Sequence, residues 1–142
     1  GNLDKALEAL AQRSSLSGTP VRFVAHHEAP INAELKVRNH LYRIAQEAVQ
    51  NALKHSGASA IDVELQVRAD SIRLAVMDDG RGLPVENPNG SGLGMRTMRF
   101  RSSAIGGKLY VGRRADGGNS VVCEAPQNRN WSQEYRARSS QR

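Results

Sequence analysis

Residues 33–57, AELKVRNHLYRIAQEAVQNALKHSG, carry apolar side chains at helical spacing and run directly into two segments whose apolar residues alternate. Val37, Leu41, Ile44, Ala48 and Ala52 fall along one side of a helix, and Ser56-Gly57 supplies a stop signal. IDVELQV and SIRLAVM, joined through RADS, have the period of two strands in a hairpin. A striped helix and a half-buried hairpin each have one face to remove from water. Packing the two faces together predicts an α+β fold, a layer of helix on a layer of sheet.

The flanking sequence extends this plan. NLDKALEALAQRSSL places Leu3, Leu7 and Leu10 on one helical face behind Asn2 as a cap, and Gly18 and Pro20 end it. VRFVAH reads as a strand and EAPIN as a loop. A further helix is expected over Leu93–Ile105, followed by strands in GGKLYVG and SVVCEAP around the turn RRADGGN. Met77 and Met98 read as core fillers, Tyr42 as a packing residue, and His26 and His27 as surface residues. The expected architecture is a two-layer α/β sandwich, a mixed sheet covered on one face by helices. No internal repeat is visible. With 142 residues the chain is the size of one domain, able to bury about two-thirds of its unfolded surface. The domain is expected over residues 1–127, with a basic, weakly ordered tail over 128–142.

Charge and composition narrow the function. The formal charge is +6, but NRNWSQEYRARSSQR holds four arginines against one glutamate, so much of the excess belongs to the tail. With six aromatic residues to stack on bases, nucleic acid is not expected as a partner. No apolar run approaches the roughly 18 residues of a membrane span, so no membrane contact is expected. Cys123, the only cysteine, has no partner within the chain, which fits a reducing cytoplasm.

Nucleotide and metal motifs can be tested by spacing. GxxxxGK[ST] is absent, and GSGLGM at 90–95 fails the dinucleotide pattern because Met95 stands at its last glycine. Zinc-ligand spacing and a Gly-x-Ser-x-Gly elbow are also absent. What remains is DDGRGL at 78–83, the cluster GSGLGM, and four polar residues on the long helix. At about 100° per residue, Glu47, Asn51, Lys54 and His55 share a face. A solvated polar face is the plain alternative. Against it, Asn is a poor helix former, Glu and Asn offer the oxygen ligands Mg²⁺ prefers, and Lys and His offer positive charge to phosphate.

LYRIAQEAVQNALKHSGAS, VMDDGRGL, GSGLGMRTMRFRSSAIGGKL and GGNSVVCEAP, in that order, resemble the N, G1 and G2 boxes and terminal strand of the GHKL ATPases. More narrowly, the chain resembles the ATP-binding catalytic domain (HATPase_c, Bergerat fold) of bacterial two-component sensor histidine kinases of the NarL-partner, or HisKA_3, type. The resemblance covers Asn2 to Pro126. It implies ATP and Mg²⁺ as cofactors. Asp78 would accept from the adenine amino group, Gly80 and Gly82 would admit the ring, and Gly92, Leu93, Gly94, Met95 and Arg96 would form the lid and the helix start that holds phosphate. Asn51 would ligate Mg²⁺ and Glu47 would act as general base. Lys54 and His55 either contact phosphate or complement the negative end of the helix.

The resemblance also implies what lies outside the chain. Such kinases carry their acceptor histidine in an E-L-H-D type helix, and His26, His27, His40 and His55 are not in that setting. The expected partners are therefore a dimerisation and phosphoacceptor domain of a parent kinase, whose other parts can carry a membrane anchor, and indirectly a response regulator. The isolated domain is expected to be a monomer unable to phosphorylate itself. A GHKL serine kinase of the anti-sigma type and a non-catalytic nucleotide-binding domain are the alternatives. Two departures stand out: Phe100 replaces the family's usual Glu, and Asn119-Ser120 follows Gly-Gly where the family usually has Thr, leaving the polar contact from that strand open.

Overall fold

A computed structural model of the chain describes residues 2–81 and 93–127. In chain order the elements are α1 (Asn2–Ser15), β1 (Val21–His27), α2 (Leu35–Asn51), β2 (Ile61–Val67), β3 (Ser71–Asp78), α3 (Leu93–Ala104), β4 (Lys108–Arg113) and β5 (Asn119–Pro126). The strands form one mixed sheet in the order β1-β2-β3-β5-β4. β1 and β2 are parallel, so α2 serves as their crossover, and the remaining pairs are antiparallel.

The helices cover one face of this sheet. Leu7, Leu41, Ile44, Ala45 and Val49 from the helices are fully buried against Ile61, Val63, Leu65 and Ile72. Strict alternation in β2 leaves Asp62, Glu64 and Gln66 on the other, open face. Met98 is buried as expected, whereas Met77 is half-buried on the open face, because β3 alternates and turns Leu74, Val76 and Asp78 inward. Tyr42 packs at the core's edge and its hydroxyl accepts from Arg13 Nη2 at 2.8 Å, fastening α1 to α2. His26 and His27 are exposed, and His27 Nε2 pairs with Asp4 of α1 at 2.6 Å. Burial pushes the Cys123 thiol up from its ordinary value, against a smaller opposing effect of its hydrogen bond to Ser102.

The end of α2 differs from the sequence expectation. Residues Ala52–Ser56 wind as a π-helical turn rather than continuing the α-helix. Ser56 Oγ donates to the Ala52 carbonyl at 2.6 Å, and Gly57 closes the turn in the left-handed region at φ 63°. The wider turn breaks the 100° progression beyond Asn51, so Lys54 and His55 no longer keep the angular relation to Glu47 that a continuous α-helix implies.

β5 returns between β3 and β4, which sets its first residue, Asn119, beside the last residue of β3, Asp78. At the other end of β5, Gln127 is 2% exposed. Its side chain donates to the carbonyls of Pro30 (3.1 Å) and Arg68 (2.5 Å) and accepts from the Asn32 N–H (2.9 Å). These bonds join the β1–α2 loop to the β2–β3 turn. Gln127→Ala is expected to lower stability by about 2–3 kcal/mol through unpaired backbone groups. The corresponding fall in Tm is on the order of 10 °C, readable by calorimetry.

Candidate nucleotide site

The candidate residues form two groups: Asp78 and Gly80 at the end of β3, beside the start of β5 and the end of α2, and Glu47 of α2 against the first turn of α3. Asp78 is 5% exposed. Among the described residues, the donors to its carboxylate both reach Oδ1: the Gly80 N–H at 2.7 Å and Asn119 Nδ2 at 3.0 Å. A buried carboxylate held by one oxygen is oriented, and among the described residues Oδ2 receives no donor and is the oxygen open to a bound one.

The turn after Asp78 rests on the end of α2. The Arg81 N–H donates to the Ser56 carbonyl at 2.9 Å. Gly80 is buried, and a Cβ there would collide with the Ser56 carbonyl and side chain. Its φ is not positive, so close approach, and not an unusual turn, requires glycine here. Asp79 clasps the entry to β2, accepting from the Ser59 hydroxyl and from the N–H groups of Ser59 (2.8 Å) and Ala60 (3.1 Å).

The Ser59 hydroxyl chiefly, followed by the two N–H groups, holds the Asp79 carboxyl below its ordinary pKa. A depressed carboxylate stabilises the fold above the unfolded value of about 3.9 and ceases to do so as pH falls through the lower folded value. Asp79→Asn is therefore expected to melt below wild type at pH 6, with the gap closing in more acidic buffer. A gap that persists unchanged at low pH would count against the charge of Asp79 as the source.

Glu47 is half-buried on α2 and faces the first turn of α3. Its carboxylate fills the space that a Cβ at Gly94 would occupy. Glycine at 94 thus lets a carboxylate reach the positive end of a helix, where it is electrostatically favoured. α3 is fixed behind this contact by Met98, fully buried, and by Met95, half-buried against the core. Arg101 Nη1 donates to His40 Nδ1 at 3.2 Å, a second tie between α3 and α2. Desolvation, then the positive charges of Arg101 and Lys36, hold His40 below its ordinary pKa, in keeping with its role as a neutral acceptor.

The structure brings Asp78 and Gly80 together and sets Glu47 against Gly94. Asn51 is half-buried at the end of α2, whereas Lys54, His55 and Arg96 are exposed. Gly82 and Gly92 lie outside the described residues, and Leu93 opens α3. Sequence reasoning read Ser56 only as part of the helix stop, left the polar contact of Asn119 open, and took Gly118 as a turn residue. A Cβ at Gly118 would collide with the Asp78 carbonyl. One signal for Asn119 was available: in NSVVCEAP it shares the inward register of Val121, Cys123 and Ala125, and a polar residue at an inward position calls for a partner.

A two-layer sandwich, an oriented carboxylate at the sheet end and glycine-dependent contacts at the ends of two helices are the features to compare with known proteins. The description "Histidine kinase-, DNA gyrase B-, and HSP90-like ATPase" matches residues 36–129, and the chain belongs to that family. Sensor protein VraS of Staphylococcus haemolyticus is 34% identical over 93 residues, covering 66% of this chain and 27% of that protein. The blue-light activated histidine kinase of Erythrobacter litoralis EL346 superposes with a TM-score of 0.71 at 23% identity, over 89% of this chain and 46% of that one. The ATP-binding domain of PrrB from Mycobacterium tuberculosis superposes with a TM-score of 0.68 at 20% identity, over 87% of this chain and 93% of that domain. The chain thus spans about a quarter of the curated relative's length and nearly the whole of a solved ATP-binding domain. Among the described residues, no helix is long and apolar enough to cross a membrane.

Proposed function

We propose that this domain binds ATP with Mg²⁺ and is the catalytic part of a sensor histidine kinase of the NarL-partner (HisKA_3) type, transferring the γ-phosphoryl group to a histidine of a separate phosphoacceptor domain. The carrying observation is Asp78: buried, held at Oδ1, with Oδ2 left to accept from an exocyclic amine. Gly80, flush against Ser56, lets the turn that follows Asp78 pack directly on the end of α2. In this reading Asn51 supplies an oxygen ligand to Mg²⁺, and Glu47 accepts or orients the acceptor's proton. Bound Mg²⁺ neutralises phosphate charge during transfer. Gly82 admits the ring together with Gly80; Gly92, Leu93, Gly94, Met95 and Arg96 serve the lid and phosphates, and Lys54 and His55 add positive charge at the helix end.

An adenine-reading carboxylate predicts base selectivity. At ATP·Mg about 100-fold above Kd, the domain should gain about 2.7 kcal/mol, a rise in Tm of several degrees. GTP presents a carbonyl where adenine has an amine and should produce little change. Equal shifts with both nucleotides would remove the adenine role from Asp78. With an added phosphoacceptor domain, label from [γ-³²P]ATP should be acid-labile, as a phosphohistidine is; acid-stable label would place the domain with serine kinases.

A further inference from the structure

Asn119 is 5% exposed at the first position of β5, directly opposite Asp78 in the antiparallel register. Its amide nitrogen donates twice, to Asp78 Oδ1 at 3.0 Å and to the Arg81 carbonyl at 2.7 Å. A side-chain amide has two N–H donors, and both are used. The first bond fixes which carboxylate oxygen remains for a ligand. The second fixes the backbone of the turn that carries Gly80. Gly118, the preceding residue, lies against the Asp78 carbonyl so closely that no side chain fits, and Arg114 Nη1 approaches the same carbonyl at 3.4 Å. The β4–β5 turn and the start of β5 thus enclose Asp78 from the side opposite β2.

From this geometry we infer that Asn119 is a positioning and specificity-determining residue for the nucleotide base: it orients Asp78 and the 79–81 turn together so that a single purine edge, one that presents an amine, fits. The inference rests on the reading of Asp78 as the adenine acceptor. With Asn119 in place, rotation of the Asp78 carboxylate would break the bonds from both Asn119 and Gly80, so Oδ2 is presented in one direction. Without Asn119, the Gly80 N–H is the one donor to the carboxylate among the described residues, and the bond from β5 to the Arg81 carbonyl is lost. The consequence is a loss of selectivity between bases as well as a loss of affinity.

The experiment compares ATP with ITP, purine nucleotides of equal size that differ in an amine against a carbonyl at the position Asp78 would read. Wild-type domain, Asn119→Ala, Asn119→Asp and Asp78→Ala are titrated by calorimetry with Mg²⁺ present. Asn119→Ala should weaken ATP about ten-fold while leaving ITP nearly unchanged, so that the preference collapses. A purely structural loss would lower both nucleotides by the same factor, and that result, or unchanged ATP affinity, overturns the inference. Asn119→Asp adds a pH signature. Two facing carboxylates cannot both be ionised without repulsion, but a shared proton restores a donor to Asp78 Oδ1. The charged residues next to this pair are Arg113, opposite Asn119 on β4, Arg114, which reaches the Asp78 carbonyl and pairs with Asp116, and Asp79, whose carboxylate is held by Ser59 and Ala60; the Arg81 guanidinium lies by Gly57. Relative to wild type at each pH, the Asp variant should therefore recover ATP affinity between pH 8 and pH 5; a deficit that stays constant over that range overturns the inference. Asp78→Ala separates the two levels of the argument. If it retains ATP preference, the adenine reading itself fails; if it loses the preference while Asn119→Ala does not, only the role of Asn119 fails.

Discussion

Glu47→Gln, tested with an added phosphoacceptor domain, is expected to lower phosphotransfer by about 10²-fold or more, the usual range for a lost general base. ATP binding should stay within a few-fold of wild type. The substitution keeps side-chain size and helix propensity, and it keeps an oxygen able to lie against Gly94. What disappears is the negative charge that can take a proton. Asn51→Ala should behave differently, because removing a proposed oxygen ligand weakens Mg²⁺-dependent ATP binding before any transfer step. Single-turnover transfer and calorimetric binding, measured separately, resolve the two. Wild-type behaviour from both variants would make this side of α2 a solvated face. Equal loss of binding from both would end the division of labour.

Gly94→Ala offers an independent route to the same result. Its Cβ would overlap the Glu47 carboxylate, so the helices must separate or Glu47 must swing away. A transfer defect in this variant, with Glu47 chemically intact, would tie the defect to the position of the carboxylate.

The features most legible in the sequence were those imposed by periodicity. The apolar stripe of α2 and the alternation of β2 and β3 determine which faces meet, and the five strands and three helices follow the expected order. Asp78 and Gly80 were legible through the resemblance carried by VMDDGRGL, which singles them out; the bond from the Gly80 N–H to Asp78 Oδ1 was not. The end of α2 was not. Whether Ala52–Ser56 winds as α or π depends on Ser56 bonding back to Ala52 while its carbonyl receives Arg81, a contact 25 residues away in sequence. Helical spacing carries no record of that contact, so the angles of Lys54 and His55 relative to Glu47 and Asn51 differ from those of the continuous α-helix that the spacing assumes. Asn119 was obscured for a related reason: its partner Asp78 is 41 residues earlier, and only the return of β5 between β3 and β4 brings the two together.

Asp78→Asn is expected to invert the base preference. Gly80 N–H and Asn119 Nδ2 both donate toward the Oδ1 position, so the carbonyl oxygen of an asparagine must occupy that place. Its NH₂ then takes the position of Oδ2 and presents a donor. An adenine amine facing that donor loses its hydrogen bond, and ATP affinity should fall by about ten- to a hundred-fold, the equivalent of about 1.5–3 kcal/mol for a bond to a charged acceptor. The carbonyl of hypoxanthine meets the same donor favourably, so ITP affinity should rise above its wild-type value. The shape and volume of the side chain are preserved, which keeps the fold out of the comparison in a way that Asp78→Ala, with Asn119 left unpaired, does not. Calorimetric titration of both nucleotides against both proteins decides the matter. If ATP binds the variant as it binds wild type, Asp78 ends β3 without reading the base; if ATP weakens while ITP does not strengthen, the amide is free to flip, and the two donors at Oδ1 do not orient it.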